Sequence, residues 1–204
     1  MNVLEYARLA LTHGANPFYI KYLAGRRVLD IGAGEGDFVA RDPVRFVGID
    51  IEPRLVEHCR TRGLDVRAMS ALRLEFPDQS FEAIHAAQVI EHFDANDAAA
   101  FLQEASRVLM PGGVIVLTTP GVRNVWDTFS HRRPYTPTAL RKFLASETES
   151  YIRDGSVALV FEGAWGTRRY VANRTLFFLL GLVDFVFKPR NPIGWTIILR
   201  KRTT

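Results

Sequence analysis

The segment that most constrains this chain is Asp30-Ile31-Gly32-Ala33-Gly34-Glu35-Gly36-Asp37-Phe38, set between two apolar runs, Arg27-Val28-Leu29-Asp30-Ile31 and Arg45-Phe46-Val47-Gly48-Ile49-Asp50. It reads as a strand, a glycine turn entering a helix, and a second strand ending in an acid. Glycines at such a turn let the backbone reverse sharply and let a ligand approach closer than any Cβ would permit. The spacing is G-x-G-x-G, whereas dinucleotide folds use G-x-G-x-x-G, and residue 37, where the third glycine of a dinucleotide site would stand, is an aspartate. Glu35 and Asp37 also place negative charge at the helix start, where a pyrophosphate would otherwise sit.

A phosphate-free ligand with a positive charge suits such a turn, and S-adenosylmethionine, with its sulfonium, meets both conditions. Asp50 stands 18 positions after Gly32. A carboxylate there can accept hydrogen bonds from both hydroxyls of a ribose, a bidentate charge-assisted contact. Alone, Asp50 is a strand-end or turn residue; paired with the glycine turn it reads as a ligand.

Three further apolar runs, at 64–68, 81–86 and 114–118, read as strands, the last preceded by a Pro111-Gly112-Gly113 turn. Helix candidates lie between, at 54–62 and 97–109. The second carries Ala98, Phe101, Leu102, Ala105, Val108 and Leu109 on one stripe, with Asp97 to cap its start. This alternation predicts an α/β fold with a parallel sheet buried on both faces and ligands beyond the carboxyl ends of the strands. In the second half, 120–135 reads as a loop, Thr136-Pro137 opens a helix to about Ala145, and 156–162 and 194–200 read as two more strands. Without repeats or low-complexity linkers, 1–204 reads as a single domain, with a core over about 26–145 and a variable substrate or lid region over about 120–190.

One cysteine, Cys59, excludes an internal disulfide framework and a multi-thiolate zinc site, and a buried inert thiol is its simplest role. The first residues hold an early acid and no long apolar run, and nothing approaches the ~20 apolar residues of a membrane span, so a cytoplasmic protein is expected. The net charge of +4 hides an asymmetry: residues 1–120 carry 12 Lys and Arg against 16 Asp and Glu, and residues 121–204 carry 14 against 6. A basic second half fits an anionic partner or, equally, a solvated basic surface.

The chain resembles the class I S-adenosylmethionine-dependent methyltransferases, in particular the UbiE/UbiG-like, type 11 subgroup acting on quinone precursors and other small molecules. The resemblance covers about 26–145 and rests on five ordered segments: 28–36, Val47-Gly48-Ile49-Asp50, 74–82, Val89-Ile90-Glu91-His92-Phe93, and Arg107-Val108-Leu109-Met110-Pro111-Gly112-Gly113. It implies a Rossmann-like seven-stranded, mostly parallel sheet of order 3-2-1-4-5-7-6, with S-adenosyl-L-methionine as cofactor and S-adenosyl-L-homocysteine as product. It further implies that Asp30, Gly32 and Gly34 line the methionine and ribose side, Asp50 binds the ribose and Ile51 packs on the adenine. Ala86, Ala87 and Gln88 would lie along the methionine moiety. In the adenine segment containing Ser70 and Ala71, Ser70 stands where similar proteins carry an aspartate. Its neutral hydroxyl offers roughly half the strength of a charged acceptor, so cofactor binding is expected to survive in weakened form.

Methyl transfer from a sulfonium is an in-line displacement that depends on position, and a phenol or carboxylic acid acceptor also benefits from a base. His92, after the fourth strand, and His131, in Ser130-His131-Arg132-Arg133-Pro134-Tyr135-Thr136-Pro137, are the catalytic candidates. Each reads equally well as a histidine that shapes a loop through backbone bonds. His13, His58 and His85 receive no role, and no clustered His, Cys and carboxylate group has metal-ligand spacing, so no metal is expected.

Residues 175–187 form an apolar stretch flanked by Arg168, Arg169, Arg174, Lys188 and Arg190. As a helix it would be about 20 Å long, too short to span a bilayer. It reads as a core helix, a homodimer interface, or a segment lying on an anionic membrane over 168–190. The function expected is O-methylation of a small-molecule or lipid-like acceptor. The alternatives are an RNA methyltransferase, favoured only by the basic tail, and a non-catalytic S-adenosylmethionine-binding interaction module.

Overall fold

Seven strands carry the chain's apolar runs: β1 (Val28–Ile31), β2 (Phe46–Asp50), β3 (Val66–Ala68), β4 (Phe81–Ala87), β5 (Leu109–Pro120), β6 (Leu159–Thr167) and β7 (Gly194–Lys201). In the computed structural model, which describes residues 1–13, 17–145, 157–167, 180–184, 186, 187 and 189–203, they form one sheet of order β3-β2-β1-β4-β5-β7-β6. Strands β1 to β5 pair in parallel, and β7 runs antiparallel to both β5 and β6. This is the order that the resemblance implied.

Both faces of the sheet are buried, and the period of two along each strand sorts its residues between them. Leu29, Ile31, Ile84, Ala86, Ile115, Leu117, Ile197 and Leu199 join one core, and Val28, Ala83, Val114, Val116 and Ile198 the other. Helices α1 (Val3–His13), α2 (Pro17–Tyr22) and α3 (Pro53–Thr61) contribute Tyr6, Phe18, Tyr22, Val56 and Cys59 to the second core. Helices α4 (Ala95–Val108) and α5 (Pro137–Leu144) contribute Phe101, Leu102, Leu140 and Phe143 to the first. Cys59 is buried as expected, with its thiol donating to the Gly34 carbonyl at 3.4 Å, and burial raises its pKa.

Several boundaries differ from expectation for identifiable reasons. The glycine turn does not enter an α-helix; it leads to a single 3-10 turn over Val39–Arg41. Pro43 restricts Asp42 and stops any longer helix. Helix α4 starts at Ala95 under Asp94, whose side chain accepts from the Asp97 amide at 2.9 Å, so Asp97 lies in the first turn and is not the cap. Leu109, read as the end of that helix, begins β5. The Pro111-Gly112-Gly113 turn survives as an irregularity within β5, whose pairing with β4 jumps between Phe81 and Ala83. The sixth strand begins at Leu159 and runs to Thr167, beyond its expected end. Most of 168–190, including Arg168, Arg169, Arg174, Lys188 and the bulk of the apolar stretch, lies outside the described residues. Among the described residues, no helix is long and apolar enough to cross a membrane.

Candidate active site

The carboxyl ends of β1, β2 and β4 border a cavity of about 520 Å³, lined among others by Gly32, Asp50, Ile51, Ser70, Ala71, Gln88 and His92. Its floor depends on glycine at position 32. Gly32 has φ of +74°, and a Cβ there would lie 2.6 Å from Val89 Cγ2. Gly34, at φ +54°, faces open space: a Cβ there would meet no atom within 4 Å. Asp50 closes onto this turn: its Oδ2 accepts from the Gly34 amide at 2.8 Å and its Oδ1 from the Glu52 amide at 2.9 Å. Both oxygens are thereby oriented while retaining lone pairs for further donors. Gln88, at the end of β4, adopts φ of +57°, a left-handed conformation unusual for a non-glycine residue. Its amide donates to the Thr118 carbonyl at 2.9 Å, which holds the strained turn against β5.

The acids at the glycine turn are partly offset. Arg62, from the end of α3, donates to the Asp37 carboxylate at 3.3 Å and to the Glu35 carbonyl. Among the described residues, the cavity is lined by Asp50 and Asp97 against Arg132 as the one Lys or Arg. A nucleoside-sized, phosphate-free cationic ligand fits this lining: the volume lies within the ~300–1,000 Å³ of small-molecule sites. Asp50, the acid expected to bind a ribose, lines this cavity, and the open face of Gly34 leaves room for close approach.

Not every predicted residue joins the cavity lining. Asp30 is 2% exposed and its Oδ1 lies 2.6 Å from His85 Nδ1, across the β1–β4 register pair. The His85 ring stacks on Phe38, with centroids 3.8 Å apart. Gly34, Ala86 and Ala87 are also outside the lining, and Ala86 is fully buried within β4. His85, given no role by its sequence, is thus the partner of the first predicted acid. The signal available was the equal position of the two residues on neighbouring strands.

Beyond Gln88 the chain makes a 3-10 turn over Ile90–His92 and meets the loop after β5. The His92 and His131 rings meet edge to face, with centroids 4.6 Å apart. His92 Nδ1 lies 3.3 Å from the Ser130 carbonyl and His131 Nδ1 2.7 Å from the Val125 carbonyl. Between them Glu91 is fully buried, with neither carboxylate oxygen hydrogen-bonded and Oε1 4.0 Å from His131 Nε2. Burial pushes the Glu91 carboxyl up from its ordinary range and lowers the His92 imidazole, which the nearby His131 lowers further. The loop is fastened to this turn by the Arg132 amide, donating to the Glu91 carbonyl at 2.8 Å, and by the Tyr135 hydroxyl, bonded to the carbonyls of Phe93 and Asp94. Sequence reasoning brought the two histidines to one end of the sheet but gave Glu91 no part; an acid beside a histidine after β4 was its only signal. A second cavity of about 350 Å³, between α4 and α5, contains none of the predicted residues.

Residues 29–117 match the methyltransferase domain family. The chain is 36% identical over 153 residues to a probable S-adenosylmethionine-dependent methyltransferase of Mycolicibacterium smegmatis, covering 69% of this chain and 57% of that protein. It is 32% identical over 123 residues to a ubiquinone biosynthesis O-methyltransferase of Xanthomonas oryzae pv. oryzae, covering 52% of this chain and 51% of that one. The chain therefore spans little more than half the length of these relatives. Its fold matches the crystal structure of a SAM-dependent methyltransferase from Archaeoglobus fulgidus with a TM-score of 0.65 at 21% identity, covering 97% of this chain and 93% of the other. Sheet order, glycine turn, domain match and relatives agree: residues 29–117 match the methyltransferase domain family, and the chain has the fold of, and is similar in sequence to, S-adenosylmethionine-dependent methyltransferases.

Proposed function

We propose that the protein methylates a hydroxyl oxygen of a small or lipid-like acceptor. The observation that carries this reading is that His92 lines the same cavity as Asp50 and Gln88, with His131 packed against its ring. The cofactor supplies a methyl group already activated on sulfur. The chain's own work is then to hold the acceptor in line and assist loss of its proton, for which His92 and His131 are the available groups. The likeness to a ubiquinone biosynthesis O-methyltransferase supports an oxygen acceptor.

The lipid-like character rests on the loop after β5. Trp126 is 61% exposed and Phe129 fully so, and Val122 is exposed near them. Arg123 and Arg132 are exposed on the same loop. Apolar side chains among cations suit peripheral contact with an anionic membrane or with an apolar acceptor delivered from one.

The test is release of S-adenosylhomocysteine with phenol, carboxylic acid, amine and RNA acceptors. Turnover with oxygen acceptors, lowered at least tenfold in kcat by His92→Ala or His131→Ala with a smaller change in cofactor Kd, is the expected result. Turnover confined to amines or RNA overturns the reading, and so does the absence of turnover with any acceptor.

A further inference from the structure

Glu91, His92 and His131 form a cluster at the edge of the cavity that His92 lines. Each offers one ligand atom, and these atoms all lie within 4.8 Å of one another. Glu91 is 0% exposed, and neither of its oxygens has a partner at hydrogen-bond distance, the neighbouring buried Thr119 hydroxyl being likewise unpartnered. A buried carboxylate without donors is costly to maintain, and the His131 imidazole nitrogen stands 4.0 Å away, too far for a hydrogen bond. Both histidines already commit Nδ1 to a backbone carbonyl, Ser130 for His92 and Val125 for His131. A neutral ring that donates from Nδ1 carries its lone pair on Nε2. A histidine whose ring N–H is anchored on a carbonyl, leaving the other nitrogen bare, is the arrangement found around metal-ligating histidines.

We infer that Glu91, His92 and His131 bind one divalent cation of the zinc class at the edge of the donor cavity. Two imidazoles and a carboxylate are a borderline nitrogen and oxygen set, which suits zinc, cobalt or iron(II) better than magnesium or calcium, whose sites are built from oxygen. Three protein ligands leave coordination positions for water and one acceptor oxygen. Local spacing along the chain did not point to this site because the third ligand arrives from residue 131, across the loop after β5.

The use of the cation rests on the O-methylation reading; its binding does not. A bound cation lowers the pKa of a hydroxyl that coordinates it, and the proton leaves to solvent. The acceptor oxygen then forms its bond to the methyl carbon as the carbon–sulfur bond breaks, and that electron pair stays on sulfur. The imidazoles act in this case by positioning, since a ligated nitrogen has no lone pair for a proton.

The experiment titrates Co²⁺ into chelator-treated full-length protein, without cofactor or acceptor, and follows the visible absorption bands and their displacement by Zn²⁺. One Co²⁺ per chain is expected, with affinity unchanged in Cys59→Ser and lowered by roughly 100-fold or more in Glu91→Gln and in His131→Gln. A second measurement uses the wild-type protein alone: proton spectra in which the imidazole signals of His92 and His131 shift with Co²⁺ far more than those of His58. Absence of binding overturns the proposal, as do binding unaffected by both variants and shifts confined to other histidines. Metal binding without turnover on any oxygen acceptor sinks the O-methylation reading while leaving the site itself standing.

Discussion

The Asp50 carboxylate and the Gly34 amide stand 2.8 Å apart, so the acid ending β2 is hydrogen-bonded to the turn that ends β1. One interaction both shapes the glycine turn and aims the carboxylate. Asp50→Asn removes the charge while keeping an acceptor oxygen. Its Kd for S-adenosylhomocysteine, measured by calorimetry, should rise about tenfold or more, as expected for loss of one charge-assisted contact. An unchanged Kd would remove Asp50 from the ribose site.

Ser70 offers the converse test. Its Oγ accepts from the Leu72 amide at 3.2 Å and lines the donor cavity. Ser70→Asp retains a short acceptor for that amide and adds charge toward the adenine side. Cofactor affinity should increase several-fold, roughly the gain from a neutral to a charged acceptor. Calorimetry without a gain argues against the adenine assignment.

The two glycines of the turn should respond differently to alanine. At Gly32 the new methyl meets Val89 in a left-handed backbone, so Gly32→Ala should lose about 1–3 kcal/mol of stability by denaturant unfolding. At Gly34 the backbone is also left-handed but the space is open, so the loss should be nearer ~1 kcal/mol. Gly34→Ala should nonetheless weaken cofactor binding, because its methyl enters the approach to the turn. Equal stability losses, or full affinity in Gly34→Ala, would contradict this division.

Arg107 fastens the segment after β3. It donates to the carbonyls of Leu74 at 2.7 Å and Phe76 at 2.8 Å, and to Glu104 and Asp78. Arg107→Met should cost about 2–4 kcal/mol through stranded carbonyls and the loss of the Glu104 ion pair. The Arg107 hydrogen bond holds the Glu104 carboxyl below its ordinary value near 4.5. A carboxyl lowered in the folded state contributes its stability above the unfolded pKa and loses it as pH falls through the folded one. The wild type should therefore lose stability below about pH 4.5 more steeply than Arg107→Met, in urea unfolding followed across pH.

Trp126 and Phe129 provide the membrane test. Trp126→Ser with Phe129→Ser should reduce sedimentation with vesicles containing acidic lipid and leave the melting temperature unchanged, because both side chains are exposed. Equal sedimentation of wild type and double variant removes this loop from any lipid contact.

The sheet was legible because period-two alternation sorts Leu29 from Val28 and Ile115 from Val114, and because the glycine turn and Asp50 occupy one short stretch. The missing helix after Gly36 followed from Pro43, a local breaker whose weight the glycine pattern obscured. The Asp30–His85 pair was not legible, since it depends on a cross-strand register that neither strand specifies alone. Glu91 was hidden for a related reason. Its sequence neighbourhood suggests a solvated acid, and only the closing of the loop after β5 buries it.

That loop is itself hung from the far edge of the sheet. The Gly121 amide donates to the Ile193 carbonyl at 2.8 Å, and the Ile193 amide to the Thr167 carbonyl at 2.7 Å. The glycine turn, Asp50 and Gln88 are instead held by bonds close to the ends of β1, β2 and β4. The loop thus hangs from the far edge of the sheet at one end and is fastened to the turn after β4 at the other, by the Arg132 amide and the Tyr135 hydroxyl. A change at Gly121 or Ile193 can therefore shift the face that carries Trp126 and His131 while the bonds that shape the glycine turn stay as they are.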